Sequence, residues 1–396
     1  MIQISPETQL FIREHSSDDV RALALQAKKY PDINMPTAIT QIAGRQVAAE
    51  KIPSWREIEE IWYPKHLSLE QCSSEITARY KARLFQGDSL TDLTGGFGID
   101  CSFLATGFKS ATYVERQEEL CEIAAHNFPI LNLNHINVRN EDGVAYLQTM
   151  SPVDCIFLDP ARRNEHGGKT VAISDCEPNV AELEALLLSK ANRVMIKLSP
   201  MLDLSLALKE LKHTQEVHIL SVNNECKELL ILLGQTSPAE IAIHCVNLLT
   251  KGTQEEQHLV FTREQEQPSQ CTYTDSLGNY LYEPNASLLK AGAFRSIAAA
   301  YPVRKLHPNS HLYTSDSFIE NFPGRIFRIV NQCSFNKKEV KENLADLKKA
   351  NVTVRNFPAT VAELRKRLHL TEGGDTYLFA STLNNGQKVI IRCEKV

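Results

Sequence analysis

Short apolar runs alternate with longer amphipathic stretches through the middle of the chain. SLTDL (89–93) predicts a strand and GIDCSFLATGF (98–108) a helix. ATYVER (111–116) predicts a strand and QEELCEIAAHNFPIL (117–131) a helix. HINVRN (135–140) and DGVAYLQTM (142–150) repeat the pair. VDCIFLDP (153–160) is a strand, followed after a loop by the helical EPNVAELEALLLSK (177–190). RVMIKLSP (193–200) is a strand and LDLSLALKELK (202–212) a helix. EVHILSVNN (216–224) and KELLILLG (227–234) predict two adjacent closing strands. Period-2 and continuous apolar runs mark the strands, and the 3.6-residue period marks the helices. A βα alternation of this kind predicts a mostly parallel sheet covered by helices.

The flanks carry different patterns. Residues 1–86 have few strand-like runs. SSDDVRALALQAKKY, MPTAITQIAGRQVAAEKI and SWREIEEIWY hold apolar residues at helical spacing, with Ser17 and Ser54 as expected N-caps. SLEQCSSEITARYKARLF (68–85) predicts one last helix leading into the first strand. AEIAIHCVNLL and QHLVFTR predict a further strand pair within 236–275. Residues 280–323 are rich in Tyr, Pro and Asn, with one helical patch at SLLKAGAFRSIAAAY. Residues 324–396 read as a second αβ unit: strand RIFRIVNQC, helix NKKEVKENLADLKKAN, strand VTVRNF, helix TVAELRKRLHL, and strands DTYLFASTL and QKVIIRCEK joined by Asn385-Gly386, a hairpin signal. The expected domains are a helical 1–86, an αβ 87–275, a segment 276–323 and a C-terminal 324–396.

Composition narrows the class. No run of about 18 apolar residues suggests a membrane span, and the polar start MIQISPETQLFIREHSSDD lacks the form of a secretory signal. Ten cysteines are scattered, with no CxxC pair, so neither a zinc site nor a disulfide framework is expected. Free thiols in apolar segments fit a reducing cytoplasm. The chain carries a net −5, yet residues 324–396 hold 14 Lys and Arg against 7 Asp and Glu. A basic tail on an acidic body is a footprint for a polyanion or simply a solvated surface.

DLTGGFGID (92–100) lies between a predicted strand and helix. Gly95, Gly96 and Gly98 let the backbone approach a ligand, and the following helix turns its free N–H groups toward it. A dinucleotide loop would place a third glycine at 101, where Cys101 stands. Asp92 at the strand end would repel a pyrophosphate but suits a cofactor with an ammonium and a sulfonium. Strand two ends at Glu115, where an acid grips ribose hydroxyls. Asp142 follows strand three, as an acceptor for an adenine amine or as a helix N-cap. Asp159 follows strand four. Four acids at four successive strand ends are hard to obtain by chance.

DLTGGFGID, YVER, EDG and DPAR resemble the motifs of class I S-adenosylmethionine-dependent methyltransferases, especially those acting on RNA. The helical N-domain, DPARR and the basic αβ tail resemble a bacterial family of THUMP-like methyltransferases. The resemblance covers nearly the whole chain. It implies an α/β fold: a Rossmann-like seven-stranded core with six parallel strands and one inserted antiparallel, a helical N-terminal domain, a ferredoxin-like segment and a smaller α+β THUMP-like domain. It implies S-adenosylmethionine as cofactor, held by Asp92, Thr94, Gly95, Gly96, Gly98, Asp100, Glu115, Arg116, Asp142, Gly143 and Asp159. Ser74, Thr77 or Lys81 is expected at its methionine end. Structured RNA (tRNA or rRNA) is the expected partner, with no membrane and no metal.

DPARR is similar to the (D/N)PP(Y/F/R) motif, whose first side chain and following carbonyls accept hydrogen bonds from an exocyclic amine. Asp159, Pro160 and Arg162 are the catalytic candidates, Asp159 as acceptor and proton relay. Ala161 and Arg162 replace the second proline and the aromatic. Arg162 and Arg163 are candidates for a phosphate clamp or for salt bridges to Glu165 or Asp175. Residues 164–176 read as a lid. Lys197 and Ser199 of KLSP are expected at the cleft edge, Lys197 as a phosphate contact or a structural residue. No cysteine occurs at 159–163 or 197–201, which disfavours a thiolate nucleophile. A methyltransferase for a small molecule or protein, and a non-catalytic nucleotide-binding module, are the rival readings.

Overall fold

A computed structural model of the chain describes residues 4–162, 172–252 and 254–396. The strands in chain order are β1 (Gly87–Asp92), β2 (Phe108–Glu115), β3 (Ile136–Asn140), β4 (Val153–Leu158), β5 (Ala161–Arg162), β6 (Cys176–Glu177), β7 (Ala191–Leu198), β8 (Thr214–Val222), β9 (Glu225–Gly234), β10 (Ala242–Leu248), β11 (Glu256–Phe261), β12 (Tyr280–Pro284), β13 (Arg304–Lys305), β14 (Tyr313–Ser315), β15 (Gly324–Ser334), β16 (Asn351–Val354), β17 (Thr376–Thr382) and β18 (Lys388–Lys395). The chain divides into two compact units: residues 1–215 with 230–238, and residues 216–229 with 239–396. The division runs through β8 and β9.

The large sheet has the order β3-β2-β1-β4-β7-β9-β8-β10-β11. In the first unit β3-β2-β1-β4-β7 pair in parallel. Their inner residues are apolar on both faces: Val194, Met195 and Ile196 of β7 are fully buried, as are Ile156 and Leu158 of β4. This is what a sheet covered on both sides requires. Between β8 and β9 stand Asn223 and Asn224, both left-handed at φ 49 and 69°. Two such residues make a tight primed turn, so β9 folds back along β8 and enters the sheet beside β7. The order 3-2-1-4-7-9-8 with a reversed penultimate neighbour is the class I methyltransferase plan expected above. The expected strand pair after it is β10 and β11, which extend the same sheet.

The N-terminal helices belong to the first unit, and two apolar clusters hold them. Phe11, Leu23, Met35, Ala38 and Ile42 form one. Trp55, Ile61, Tyr63, Leu69 and Ala78 form another with Phe97, Ile99 and Ile123 of the αβ core. Several local expectations are corrected here. Pro6–Glu14 is an unforeseen helix, capped by Ser5. Asp19, not Ser17, caps Val20–Leu25. Ser54 lies inside the single turn Pro53–Arg56 and its N–H donates to Glu75, so it caps nothing, and SWREIEEIWY is not one long helix. Residues 68–85 split into His66–Gln71 and Glu75–Leu84. The break places Ser73 where its hydroxyl meets charged groups described below.

In the second unit β10 pairs with β8 in parallel and with β11 antiparallel. A second sheet has the order β13-β14-β12-β15-β18-β17-β16. Leu281, Leu306, Phe327, Phe379 and Ile391 fill its main core. The helices Lys337–Leu344 and Val361–Leu368 contribute Leu344 and Leu368 to a second cluster. The expected helix at 287–301 is two, broken at Gly292, whose φ of +77° ends the first. No described helix is long and apolar enough to cross a membrane.

Candidate active site

The glycine turn follows β1 and is anchored from below. Phe97 packs edge-on against Trp55 at 5.2 Å. A Cβ on Gly95 would stand 2.2 Å from the buried Tyr113 ring, so only glycine fits. Gly96 is different: its φ is +53°, and a Cβ there would meet nothing nearer than Thr94 O at 3.8 Å. The loop is therefore packed hard on one side and open on the other. Glu115 at the end of β2 fastens it, Oε2 accepting from Gly96 N at 2.9 Å and Oε1 from Gln117 N at 2.9 Å.

Asp92 ends β1 and is 1% exposed. Its Oδ1 accepts from Thr94 N at 3.0 Å. Its Oδ2 is buried and has no hydrogen-bond partner. Burial, with Asp100 and Asp159 nearby, pushes its pKa up to about 8, against the Thr94 amide and Lys197. A buried carboxylate oxygen without a donor is costly unless a ligand supplies one. The loop and this oxygen together fit a cofactor with an ammonium or hydroxyl group over the turn.

Asp159 follows β4, and its N–H donates to Thr94 Oγ1 at 2.6 Å. This joins the turn after β4 to the glycine turn. Leu158 pairs with Ile196 in the parallel β4–β7 register, which makes Lys197 the neighbour of Asp159. Lys197 Nζ lies 2.6 Å from Asp159 Oδ2 and 3.2 Å from Asp100 Oδ2, and donates to Ser73 Oγ at 3.0 Å. Lys81 Nζ lies 2.9 Å from Asp100 Oδ1 and donates to Ser73 Oγ at 2.9 Å. Burial raises the Asp100 pKa, but the two ammonium groups outweigh it and hold the carboxyl well below the usual range. Burial raises Asp159, opposed by Lys197. Two lysines, two aspartates and a serine hydroxyl thus form one buried network, with the half-buried Asp159 at its open end.

These contacts bear on two expectations. Lys197 is buried and committed to two carboxylates, so it is not a phosphate contact. Lys81 is fully buried, paired with Asp100 and donating to Ser73 Oγ. Thr77 is buried too, its hydroxyl donating to Ser74 O, which leaves Ser74 the half-buried member of that trio. Asp142 Oδ1 accepts from Val144 N and Ala145 N and caps the helix Gly143–Thr149. Gly143 abuts the loop, since a Cβ there would lie 2.1 Å from Leu93 O. Arg116 is exposed and 3.6 Å from Glu177. Pro160 is buried. The backbone of Ala161 and Arg162 forms β5 and pairs with β6. The Arg162 side chain, Arg163 and most of the expected lid lie outside the described residues, while Asp175 accepts from Ala172 N. Ser199 accepts from Met201 N.

Ser73 is the site residue that the sequence reading missed. Its only signal is its place next to Ser74 at a helix start.

A crystal structure of a candidate methyltransferase from Porphyromonas gingivalis W83 is 34% identical to this chain, covers 100% of both chains and superposes with a TM-score of 0.87. This chain belongs to the same family. Its C-terminal part matches two family profiles, a ferredoxin-like domain over residues 280–323 and a THUMP domain-like region over residues 324–395. In the structure these matches divide one sheet: β12–β14 fall in the first and β15–β18 in the second, joined by the β12–β15 ladder. A conserved hypothetical protein of Streptococcus pyogenes is 16% identical over 38% of this chain and 88% of that one, at a TM-score of 0.30. An rRNA methylase from Streptococcus thermophilus is 14% identical over 40% and 93%, also at 0.30. At such scores neither likeness carries weight. Curated protein sequences give no significant match.

Proposed function

We propose that this protein is an S-adenosylmethionine-dependent methyltransferase that modifies a base of structured RNA, tRNA or rRNA, at an exocyclic amine. One observation carries the cofactor reading: the buried, unpartnered Oδ2 of Asp92 beside a glycine turn at whose Gly96 a Cβ would meet no atom nearer than 3.8 Å. Membership in a family whose solved relative is named a candidate methyltransferase supports it. Asp92, Thr94, Gly95, Gly96, Gly98 and Glu115 would line the cofactor, with Asp142 and Ser74 at its two ends. When bound, S-adenosylmethionine supplies an electrophilic methyl group on a sulfonium.

The protein's task is then to hold the acceptor nitrogen in line and to receive its proton. Asp159 stands one strand over from the turn. Its carboxylate would accept the amine N–H, with the backbone carbonyls that follow it. Lys197 fixes its rotamer at 2.6 Å. Asp100 and Lys81 act only through Lys197 and Ser73, as positioning residues. The RNA reading rests on the THUMP-like match and on the exposed Lys337, Lys338, Lys341, Lys348, Lys349, Lys366 and Arg367. The proposed organisation is a helical 1–86, a catalytic 87–275, a ferredoxin-like segment 276–323 and an RNA-recruiting THUMP-like 324–396, in a cytoplasmic protein.

The test is transfer of label from the cofactor to total RNA of a strain lacking the gene, followed by mapping of the modified nucleotide. Transfer to protein or a metabolite alone would overturn the RNA reading. Absence of cofactor binding in calorimetry would overturn the cofactor reading.

A further inference from the structure

Three imidazoles and one carboxylate gather on one face of β8, β10 and β11, within the second unit. The strand registers place them there. His218 of β8 pairs with His244 of β10, and Glu216 stands two residues before His218 on the same face. His258 of β11 lies opposite Val246, two residues beyond His244. Side chains two apart on a strand share a face, so all four project together.

The spacing suits a metal ion. Glu216 Oε2 is 3.2 Å from His218 Nε2 and 3.8 Å from His244 Nε2. One ligand atom from each of these three lies within 4.8 Å of the others. Zinc held at about 2.0–2.1 Å by nitrogen and oxygen in a tetrahedron separates its ligand atoms by about 3.3–3.4 Å. The two Glu216–His separations, 3.2 and 3.8 Å, bracket that value.

The surroundings add a second, independent observation. His244 uses its other nitrogen as well: Nδ1 lies 3.2 Å from His258 Nε2. Metal-bound imidazoles usually engage the second ring nitrogen, which fixes the ring's direction. The rings of His218 and His244 stack at 4.2 Å and 13°, which also resists rotation. The His218 side chain is 3% exposed and that of Glu216 42%, so the cluster is walled on one side and reachable from the other.

We propose that Glu216, His218 and His244 bind a divalent first-row transition ion, best matched by Zn²⁺, with His258 orienting His244 and one coordination position left open. Two imidazoles and a carboxylate are a donor set that zinc takes readily. The ion would cross-link β8 to β10, two strands that already pair. The expectation of no metal came from thiol spacing, whereas these ligands come from two strands that pairing brings together, β8 and β10.

Full-length protein is stripped with EDTA and titrated with Zn²⁺ under reducing conditions, beside Glu216→Gln, His244→Gln and His258→Ala. Wild type is expected to bind one equivalent. The two ligand variants should bind at least roughly 100-fold more weakly, and His258→Ala roughly tenfold more weakly. Co²⁺ in place of Zn²⁺ should give four-coordinate visible bands in wild type that Glu216→Gln loses. Glu216 is exposed enough for that variant to fold, and circular dichroism of the metal-free proteins verifies it. Wild type that binds no Zn²⁺ overturns the proposal. So does wild-type affinity in both ligand variants, which would assign the metal to the cysteines.

Discussion

Lys197 Nζ and Asp159 Oδ2 stand 2.6 Å apart at the ends of two adjacent parallel strands. The pair ties the proposed acceptor-binding carboxylate to a buried network that reaches Asp100, Ser73 and Lys81. The geometry separates two roles. Asp159 faces the open edge, and Lys197 lies behind it. Lys197→Met should lower stability by about 2 kcal/mol, because it leaves Asp100 and Asp159 short of a donor while Asp159 remains partly solvated. It should also slow transfer without abolishing cofactor binding. Asp159→Asn should keep near-normal stability and cofactor affinity, and lose roughly 100-fold in single-turnover transfer. Full activity in Asp159→Asn would remove this residue from the chemistry.

Asp92 and Asp100 give stability opposite dependences on pH. The Asp92 pKa is near 3.8 ordinarily and about 8 in the fold. Between those values the folded state holds the extra proton, so stability falls as pH rises from about 4 toward 8. Asp92→Asn has no charge to desolvate and should remove that slope. Asp100 is held below its ordinary value, so its contribution is present above about pH 4 and is lost as pH falls further. Asp100→Asn should flatten the acid limb and cost about 3 kcal/mol at neutral pH, since two buried lysines lose a partner. Urea midpoints across pH 3 to 8.5 read both effects. Parallel curves for wild type and Asp92→Asn would contradict the first.

The glycines of the turn should separate folding from binding. Gly95→Ala puts a Cβ 2.2 Å from Tyr113, and Gly143→Ala puts one 2.1 Å from Leu93 O. Each should cost about 2 kcal/mol or more through overpacking. Gly96→Ala meets no such neighbour and pays only for its left-handed backbone, about 1 kcal/mol. Its new methyl would stand in the space assigned to the cofactor. Melting temperature and calorimetric affinity should therefore rank these variants differently. A Gly96→Ala protein with unchanged affinity would show that the ligand lies elsewhere.

The basic helix Lys337–Leu344 offers a test of the RNA surface. Lys337, Lys338 and Lys341 are all exposed on it. If they contact phosphates, replacing all three by Glu should weaken binding of structured RNA and reduce the slope of log affinity against log salt by roughly one per lysine lost. Filter binding at several salt concentrations measures it. An unchanged slope would take this helix out of the interface.

Local patterning and turn chemistry were enough to read the βα core from the sequence. Its strands bury both faces and so show as apolar runs, and its closing hairpin turns on two asparagines. The acids at four strand ends and the glycine turn were legible for the same reason, because each sits at a punctuated boundary. The helical edges were less so. Asp19 rather than Ser17 caps a helix, and Ser73 interrupts one, because a few tenths of a kcal/mol of propensity yield to packing and to a buried charge. Only the tertiary structure decided which acid does what. Asp142 caps a helix through Oδ1, Asp100 is drawn into a lysine pair, and Asp92 keeps an unpartnered oxygen. Those outcomes depend on the parallel register that sets Lys197 beside Asp159 and on burial that changes proton affinity. The histidines of β8, β10 and β11 follow the same rule. They are scattered along the chain, and strand pairing alone brings them together.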